Sequence, residues 1–275
     1  MVSSSSPSAA TGRPPCSSTG ARLEDYLASL AELLAPVVRS HRYTMRGLSP
    51  SPTNGPFTVA RHVDDAVAIL DGIGLDRAVL IGHSWGGFIA AAFGVIRPDR
   101  AKALVMIDST GITGDGGIGA FGEHFDRAYT AQARARIHEL DALSEKRPLT
   151  AAESTELAQL DWPHYHADPA HPPPFLKRRS SAESGRDGMA DTVRLLDERF
   201  FDPLARRDIP TLVIGGAKGP FPTSVLADTA AHIRGGSLVV LPNAGHFPWY
   251  EQPEELLDAV RRFLSNHSRS YSDRG

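Results

Sequence analysis

The stretch that most constrains this chain is RAVLIGHSWGGFIAAAFGVI, residues 77–96. Its first part, RAVLIG (77–82), is a short, continuous apolar run bounded by glycine, the pattern of a strand buried on both faces. Its second part, WGGFIAAAFGVI, reads as a helix of small residues closed by Arg97–Pro98. Ser84 stands between them in Gly-His-Ser-Trp-Gly, where the strand hands over to the helix through a sharp turn. Such a turn forces its central residue into a strained backbone conformation. Side chains two positions to either side would crowd it, so Gly82 and Gly86 are expected to relieve the turn. Gly87 and Ala90–Ala92 are expected to let the helix pack closely on the sheet. G-x-S-x-G in a strand–turn–helix context marks a nucleophilic serine, and His83 inside the motif is expected to be structural. The helix start aims its dipole and its N–H groups at the serine, with Trp85 N–H placed to support a negative oxygen.

The same unit recurs. AKALVMID (101–108), IPTLVIGG (209–216) and GSLVVLP (236–242) are buried-strand runs, and VVRSHRY (37–43) is a further candidate strand. Leu23, Leu27, Leu30 and Leu34 share one helical face that Pro36 ends; Val59, Val63, Val67, Leu70 and Ile73 share another, ended by Gly72 and Gly74. PEELLDAVRRFL (253–264) is the final helix. Strands alternating with helices predict a mostly parallel sheet covered on both faces. Residues 109–195 break the rhythm with a Gly-rich loop, a polar helical stretch and WPHYHADPAHPPPF. An insertion after the strand 103–108 lies at the carboxyl edge of the sheet, where α/β enzymes bind ligands, and reads as a mainly helical cap. The expected plan is a disordered lead-in over 1–20, a core of 21–108 and 196–266, a cap of 109–195 and a tail of 267–275.

Length and composition exclude other classes. At 275 residues the chain is one ordinary domain with room for a sizeable core, and its formal charge of −3 argues against nucleic acid or an anionic membrane as partner. The single cysteine, Cys16, excludes an internal disulfide framework and suits a reducing cytoplasm. The Ser/Pro-rich start lacks the apolar run of a signal peptide. No G-x-G-x-x-G or phosphate loop is present, so no nucleotide cofactor is expected. A small-molecule substrate is the expected partner, with a homodimer left open.

A serine hydroxyl needs a base. His246, in LPNAGHFPWYEQPEEL, leaves the last strand in a turn of small residues, downstream of the serine. EDYLASLAELLAP, RGLSPS, VDDAVAILDGIGLDRAVLIGHSWGG, PDRAKALVMIDS and NAGHFPWYEQPEEL together resemble the α/β-hydrolase superfamily, from about Leu23 to Leu264. Within it the chain resembles the proline-iminopeptidase-like and esterase-like bacterial branch. The resemblance implies a Ser-His-acid triad with Ser84 and His246. Two departures stand out. The family's acid usually follows the penultimate strand in a G-x-x-D pattern, but GGAKGPFP places Gly219 there. The other family position is the end of the strand after the nucleophile helix, and LVMIDS supplies Asp108, in the order Ser84, Asp108, His246. Its alternative role is to cap the loop turn. Asp208 precedes its strand and Asp228 lies inside a helix, so neither suits.

The second departure is at the front. CSSTG (16–20) stands where the family carries a His-Gly oxyanion loop, and nothing before it reads as a strand. The sheet is therefore expected to lack N-terminal strands, either through a truncated start or a real departure. The third family strand would leave a gap, or the strands at 37–43 and 77–82 would pair directly. Trp85 N–H supplies one oxyanion donor, and Ser18 or its neighbour Ser17 is the candidate for the second. Trp162, Tyr165 and Phe247, with Phe175, Phe221 and Trp249, are the aromatic candidates for a substrate pocket. His164, His166, Asp168 and His171 have irregular spacing that fits a loop better than a metal centre, so no metal is expected. Lys177–Arg178–Arg179 reads as a solvated patch.

The function these features imply is cofactor-free hydrolysis of an ester, lactone or thioester through an acyl-enzyme. Cleavage of an N-terminal peptide bond is the alternative within the family. A non-catalytic ligand-binding form of the fold is the alternative outside it, motivated by Gly219 and the altered front.

Overall fold

A computed structural model describes residues 1–4, 25–176 and 181–267. Six strands form one sheet: β1 (Val2–Ser4), β2 (Arg39–His41), β3 (Ala78–His83), β4 (Ala101–Ile107), β5 (Thr211–Gly216) and β6 (Gly236–Leu241), in the order β2-β1-β3-β4-β5-β6. The pairs from β3 to β6 are all parallel. The apolar runs at β3, β4 and β5 are continuous because both faces of the sheet are covered. Leu80, Leu104, Met106 and Val213 face one core with α2 (Val59–Gly72), α3 (Trp85–Ile96) and α8 (Thr223–His232). Val79, Ile81, Val105, Ile107, Leu212 and Ile214 face the other, with α1 (Ala28–Leu34) and α10 (Pro253–His267). Alternate residues of one strand thus serve two cores, as the period of two requires.

The front of the sheet differs from both expected outcomes. The slot between β2 and β3 is neither empty nor closed by direct pairing, because β1 occupies it antiparallel to both neighbours. Val2 pairs with His41 on one side and Leu80 on the other, and Ile81 N–H donates to the Met1 carbonyl at 2.9 Å. Three residues of extended backbone supply ladder partners that the facing strand edges would otherwise lack. The expected lead-in is corrected to this extent: Val2–Ser4 belong to the sheet. Cys16, Ser17, Ser18, Lys177–Arg179 and the tail beyond His267 lie outside the described residues.

Between β4 and β5 the chain builds α4 (Ile118–Ala128), α5 (Ala131–Ser144), α6 (Ala151–Asp161) and α7 (Ala182–Asp197). Thr130, Thr150 and Ser181 cap the starts of α5, α6 and α7, and Thr150 forms a reciprocal capping box with Glu153. Arg136 on α5 grips Glu156 on α6 through two hydrogen bonds of 2.8 and 2.9 Å. α7 runs two residues past the expected boundary at 195 and is pinned to the core: Asp191 Oδ2 accepts Val59 N–H at 2.7 Å, at the start of α2. A short helix, α9 (Pro248–Glu251), joins the β6 loop to α10. Among the described residues no helix is long and apolar enough to cross a membrane.

Candidate active site

β3 hands over to α3 at a single residue, Ser84, whose φ of 56° lies in the left-handed region. For a residue with a side chain this conformation costs about 1–3 kcal/mol and persists only where its surroundings enforce it. They do: Ser84 N–H donates to the Ile107 carbonyl at 3.0 Å, and Gly87 N–H donates to the Ser84 carbonyl at 2.9 Å. A Cβ on Gly82 would stand 2.0 Å from the Gly86 carbonyl oxygen, so any side chain there would break the elbow. On Gly87 it would stand 2.4 Å from Ser109 Oγ, which explains the close seat of α3 on the residues after β4. The reason given for Gly86 is corrected, because a Cβ there would meet nothing within 4 Å. Ser84 itself is partly exposed.

Asp108 follows β4 directly and is 0% exposed, with a φ of 39°. Its Oδ2 lies 2.5 Å from His246 Nδ1, and its Oδ1 accepts Gly216 N–H at 3.1 Å. Its own N–H donates to the Ile214 carbonyl, which ties the carboxylate's backbone to β5. Burial pushes the Asp108 carboxyl up to about 8, against the opposing pull of Gly216 N–H and His124. Capping of a loop turn is therefore not where this carboxylate is spent. Gly219, the usual acid position, packs against it: a Cβ on Gly219 would lie 3.2 Å from Asp108 Oδ2.

His246 is 2% exposed, on the turn after β6. Its N–H donates to the Tyr165 carbonyl at 2.7 Å. Its own carbonyl accepts from His83 Nε2 at 2.7 Å, so the His83 proton sits on that nitrogen. The His83 and His246 rings are 4.4 Å apart, which brings the residue before Ser84 against His246 and makes His83 a brace between the two turns. Asp108 on Nδ1 places that ring's lone pair on Nε2. Asp108 and His246 thus pair at the carboxyl ends of β4 and β6, and Ser84 stands at the carboxyl end of the neighbouring β3.

Two groups here carried no sequence signal. Glu251 on α9 accepts Gly245 N–H at 2.7 Å and Ala167 N–H at 2.6 Å, stapling the His246 turn to the insertion. Burial holds its carboxyl above the usual range, opposed by those two N–H groups. Phe121 on α4 approaches the His246 ring at 6.2 Å. Of the aromatic candidates, Tyr165 stacks on His246 at 5.2 Å and Phe221 lies 5.9 Å from it. Trp162 and Phe247 are placed otherwise than expected. They are 3% and 0% exposed and pack on each other at 5.1 Å within the core, where the indole N–H of Trp162 donates to the Pro173 carbonyl. Trp249 packs with them, and Phe175 lies against Trp162.

Trp85 opens α3, where the first N–H groups have no partner within the helix. Its side chain donates from Nε1 to Thr192 Oγ1 at 2.9 Å on α7. His171 pairs with Asp168 at 3.0 Å on the surface, while His166 is buried beside Trp162. Among the described residues no group of three or more His, Cys, Asp or Glu side chains is placed to hold a metal.

Comparison with known proteins gives a consistent placement. The chain is 27% identical over 237 residues to a 2-hydroxymuconate semialdehyde hydrolase of Pseudomonas putida, covering 82% of this chain and 76% of that one. It is 28% identical over 229 residues to 3-oxoadipate enol-lactonase 2 of Acinetobacter baylyi, covering 81% and 77%. A solved hydrolase from Pseudomonas aeruginosa PA01 superposes with a TM-score of 0.57 at 25% identity, covering 86% and 84%. The profile of the alpha/beta hydrolase family matches residues 17–259, from ahead of α1 to within α10, and the chain belongs to that family.

Proposed function

We propose that this protein is a serine hydrolase that cleaves an ester, lactone or thioester of a small molecule. The observation that carries the reading is the Asp108–His246 hydrogen bond of 2.5 Å beside a serine held at positive φ. Asp108 fixes the imidazole so that His246 Nε2 takes the Ser84 Oγ proton as Oγ bonds the substrate carbonyl carbon. The carbonyl oxygen becomes an oxyanion at the start of α3, where Trp85 N–H donates to it; the segment holding Ser18 is the proposed source of a second donor. The carbonyl re-forms as the bond to the leaving oxygen or sulfur breaks, and His246 returns the proton to that atom. Water, deprotonated by His246, then attacks the acyl-enzyme and releases the acid with Ser84 restored.

Residues 109–195 act as the cap over this site, and Tyr165, Phe121 and Phe221 form its apolar wall around His246. The relative named as an enol-lactonase supports the lactone reading of the substrate class. Cys16 as the single cysteine supports a reducing compartment such as the cytoplasm.

A fluorophosphonate probe tests the nucleophile. Wild-type protein should be labelled covalently and Ser84→Ala should not; a folded wild type that takes no label would overturn the proposal. A panel of p-nitrophenyl esters, lactones and prolyl-naphthylamides sorts the substrate class, with turnover expected for the first two.

A further inference from the structure

His246 lies among aromatic side chains, and their angles to it differ. His83, Phe121 and Phe221 meet its imidazole at interplanar angles of 52°, 74° and 50°. Tyr165 lies within 26° of parallel to it, with the ring centres 5.2 Å apart. That separation and angle are those of an offset stack, in which the imidazole meets the electron-rich face of the phenol ring. Stacking covers a face of the imidazole and leaves its edge open. Both nitrogens lie on that edge, and Nδ1 there keeps its 2.5 Å contact with Asp108 Oδ2.

The phenol ring is itself held. Tyr165 closes a short 3₁₀ turn, Trp162–Tyr165, that follows α6 directly. Phe125 on α4 meets the Tyr165 ring at 4.8 Å and 68°, and Phe247 meets it at 5.6 Å and 74°. The Tyr165 carbonyl accepts His246 N–H at 2.7 Å. One residue of the insertion thus holds both the backbone and the ring of His246. Any residue at 165 could supply the carbonyl, but only an aromatic one supplies the face.

The face matters because of charge. A cation set over an aromatic ring is attracted by its quadrupole, an attraction that a neutral imidazole largely lacks. The stack therefore favours the protonated ring. The other charged and titratable groups about His246 are Asp108 at Nδ1, His83 at its carbonyl, and Glu251 on the N–H of Gly245. Behind these, His124 acts on Asp108, Lys218 acts on Glu251, and His166 stands 4.0 Å from Glu251. None of these groups is removed when the Tyr165 side chain is changed.

We propose that Tyr165 is a positioning residue for His246, its ring face fixing the orientation of the imidazole and stabilising the imidazolium. In a hydrolase the imidazolium is the form produced when Ser84 gives up its proton. That last step rests on the serine-hydrolase reading; the stack itself does not.

The test follows the His246 titration by ¹H–¹⁵N NMR of the full chain, with its imidazole signals assigned by their loss in His246→Gln. A Ser84→Ala background makes the reading independent of turnover. Tyr165→Leu keeps an apolar side chain and deletes the face, while Tyr165→Phe keeps the face without the hydroxyl. Tyr165→Met is the second non-aromatic replacement, used if the leucine variant does not fold. The midpoint read at His246 belongs to its pair with Asp108, which is the same in every variant. It should fall by about 0.5–1 pH unit in Tyr165→Leu and stay near that of the parent in Tyr165→Phe. A midpoint unchanged or raised in Tyr165→Leu would overturn the proposal, since losing a wall that only buries the ring admits water and favours its charge.

Hydrolysis of p-nitrophenyl acetate by the protein with Ser84 intact tests the last step. The acid limb of kcat/KM should move to lower pH in Tyr165→Leu, with kcat lowered about two- to fivefold and recovered in Tyr165→Phe. A change confined to KM would make Tyr165 a pocket wall alone and remove it from the proton transfer. Fluorophosphonate labelling separates the two readings. A shifted midpoint in a wild type that takes no label would keep the stack and remove the hydrolase. Labelling with an unshifted midpoint would keep the hydrolase and remove the stack.

Discussion

At the scale of single residues, the arrangement turns on an exchange between two positions. Asp108 carries the carboxylate and Gly219 carries none, and a Cβ at 219 would lie 3.2 Å from Asp108 Oδ2, a tight contact beside His246. Asp108→Asn should lower kcat by about 10³–10⁴, since the amide favours the wrong imidazole tautomer. Gly219→Asp alone should also impair the enzyme, because two carboxylates would be buried side by side and each would oppose ionisation of the other. The double variant Asp108→Gly, Gly219→Asp should recover part of the activity lost in Asp108→Gly. A double variant no better than the single one would show that position 219 cannot reach His246. The pH profile has a definite sign. Burial raises Asp108 toward about 8, and the charged form orients His246, so kcat/KM should rise with pH through the titration of the pair and fall below it.

At the scale of elements, His246, the proposed base, is held by contacts from outside its own turn. Glu251 on α9 binds Gly245 N–H and Ala167 N–H, and Tyr165 carbonyl binds His246 N–H, so the turn after β6 and the segment 165–167 fix one another. Glu251→Ala removes both acceptors, while Glu251→Gln keeps one oxygen. Steady-state kinetics should show kcat lowered about hundredfold in the first and about tenfold in the second, with KM little changed, because a displaced base costs rate rather than binding. A fall confined to KM would place Glu251 in substrate binding instead. The strands and the serine motif were legible because each is a local pattern: a continuous apolar run, or glycines at fixed offsets from Ser84. Glu251 and Phe121 were not, because their meaning lies in partners far away along the chain. β1 was not, because Val2–Ser4 is too short and too serine-rich to show a pattern. Asp108 was legible only as one of two family positions; its hydrogen bond to His246 spans 138 residues and so left no local pattern. Trp162 and Phe247 were misplaced because an aromatic near the site and an aromatic in the core look the same in sequence.

At the scale of the whole molecule, the insertion between β4 and β5 grips the core at two opposite points of the site. The segment 165–167 holds the His246 turn, and α7 holds the side of Ser84 through Thr192 on the Trp85 indole and Asp191 on α2. The two grips differ from apolar packing in that each has a single geometry, so they set where the insertion sits as well as how firmly. Thr192 Oγ1 is both acceptor from Trp85 and donor to the Gly188 carbonyl at 2.8 Å, one turn back on α7. Thr192→Val keeps the shape and deletes the acceptor, leaving the indole N–H without its partner, which should cost about 1–3 kcal/mol. Urea unfolding should show this as a lower midpoint at unchanged slope if insertion and core unfold as one unit. A reduced slope or a second transition would instead mean that the insertion separates from the core first. In that event fluorophosphonate labelling of Ser84 should survive at urea concentrations where the α7 contacts are already lost. Conversely, loss of labelling in step with the single transition would tie the Ser84 elbow to the grip of α7.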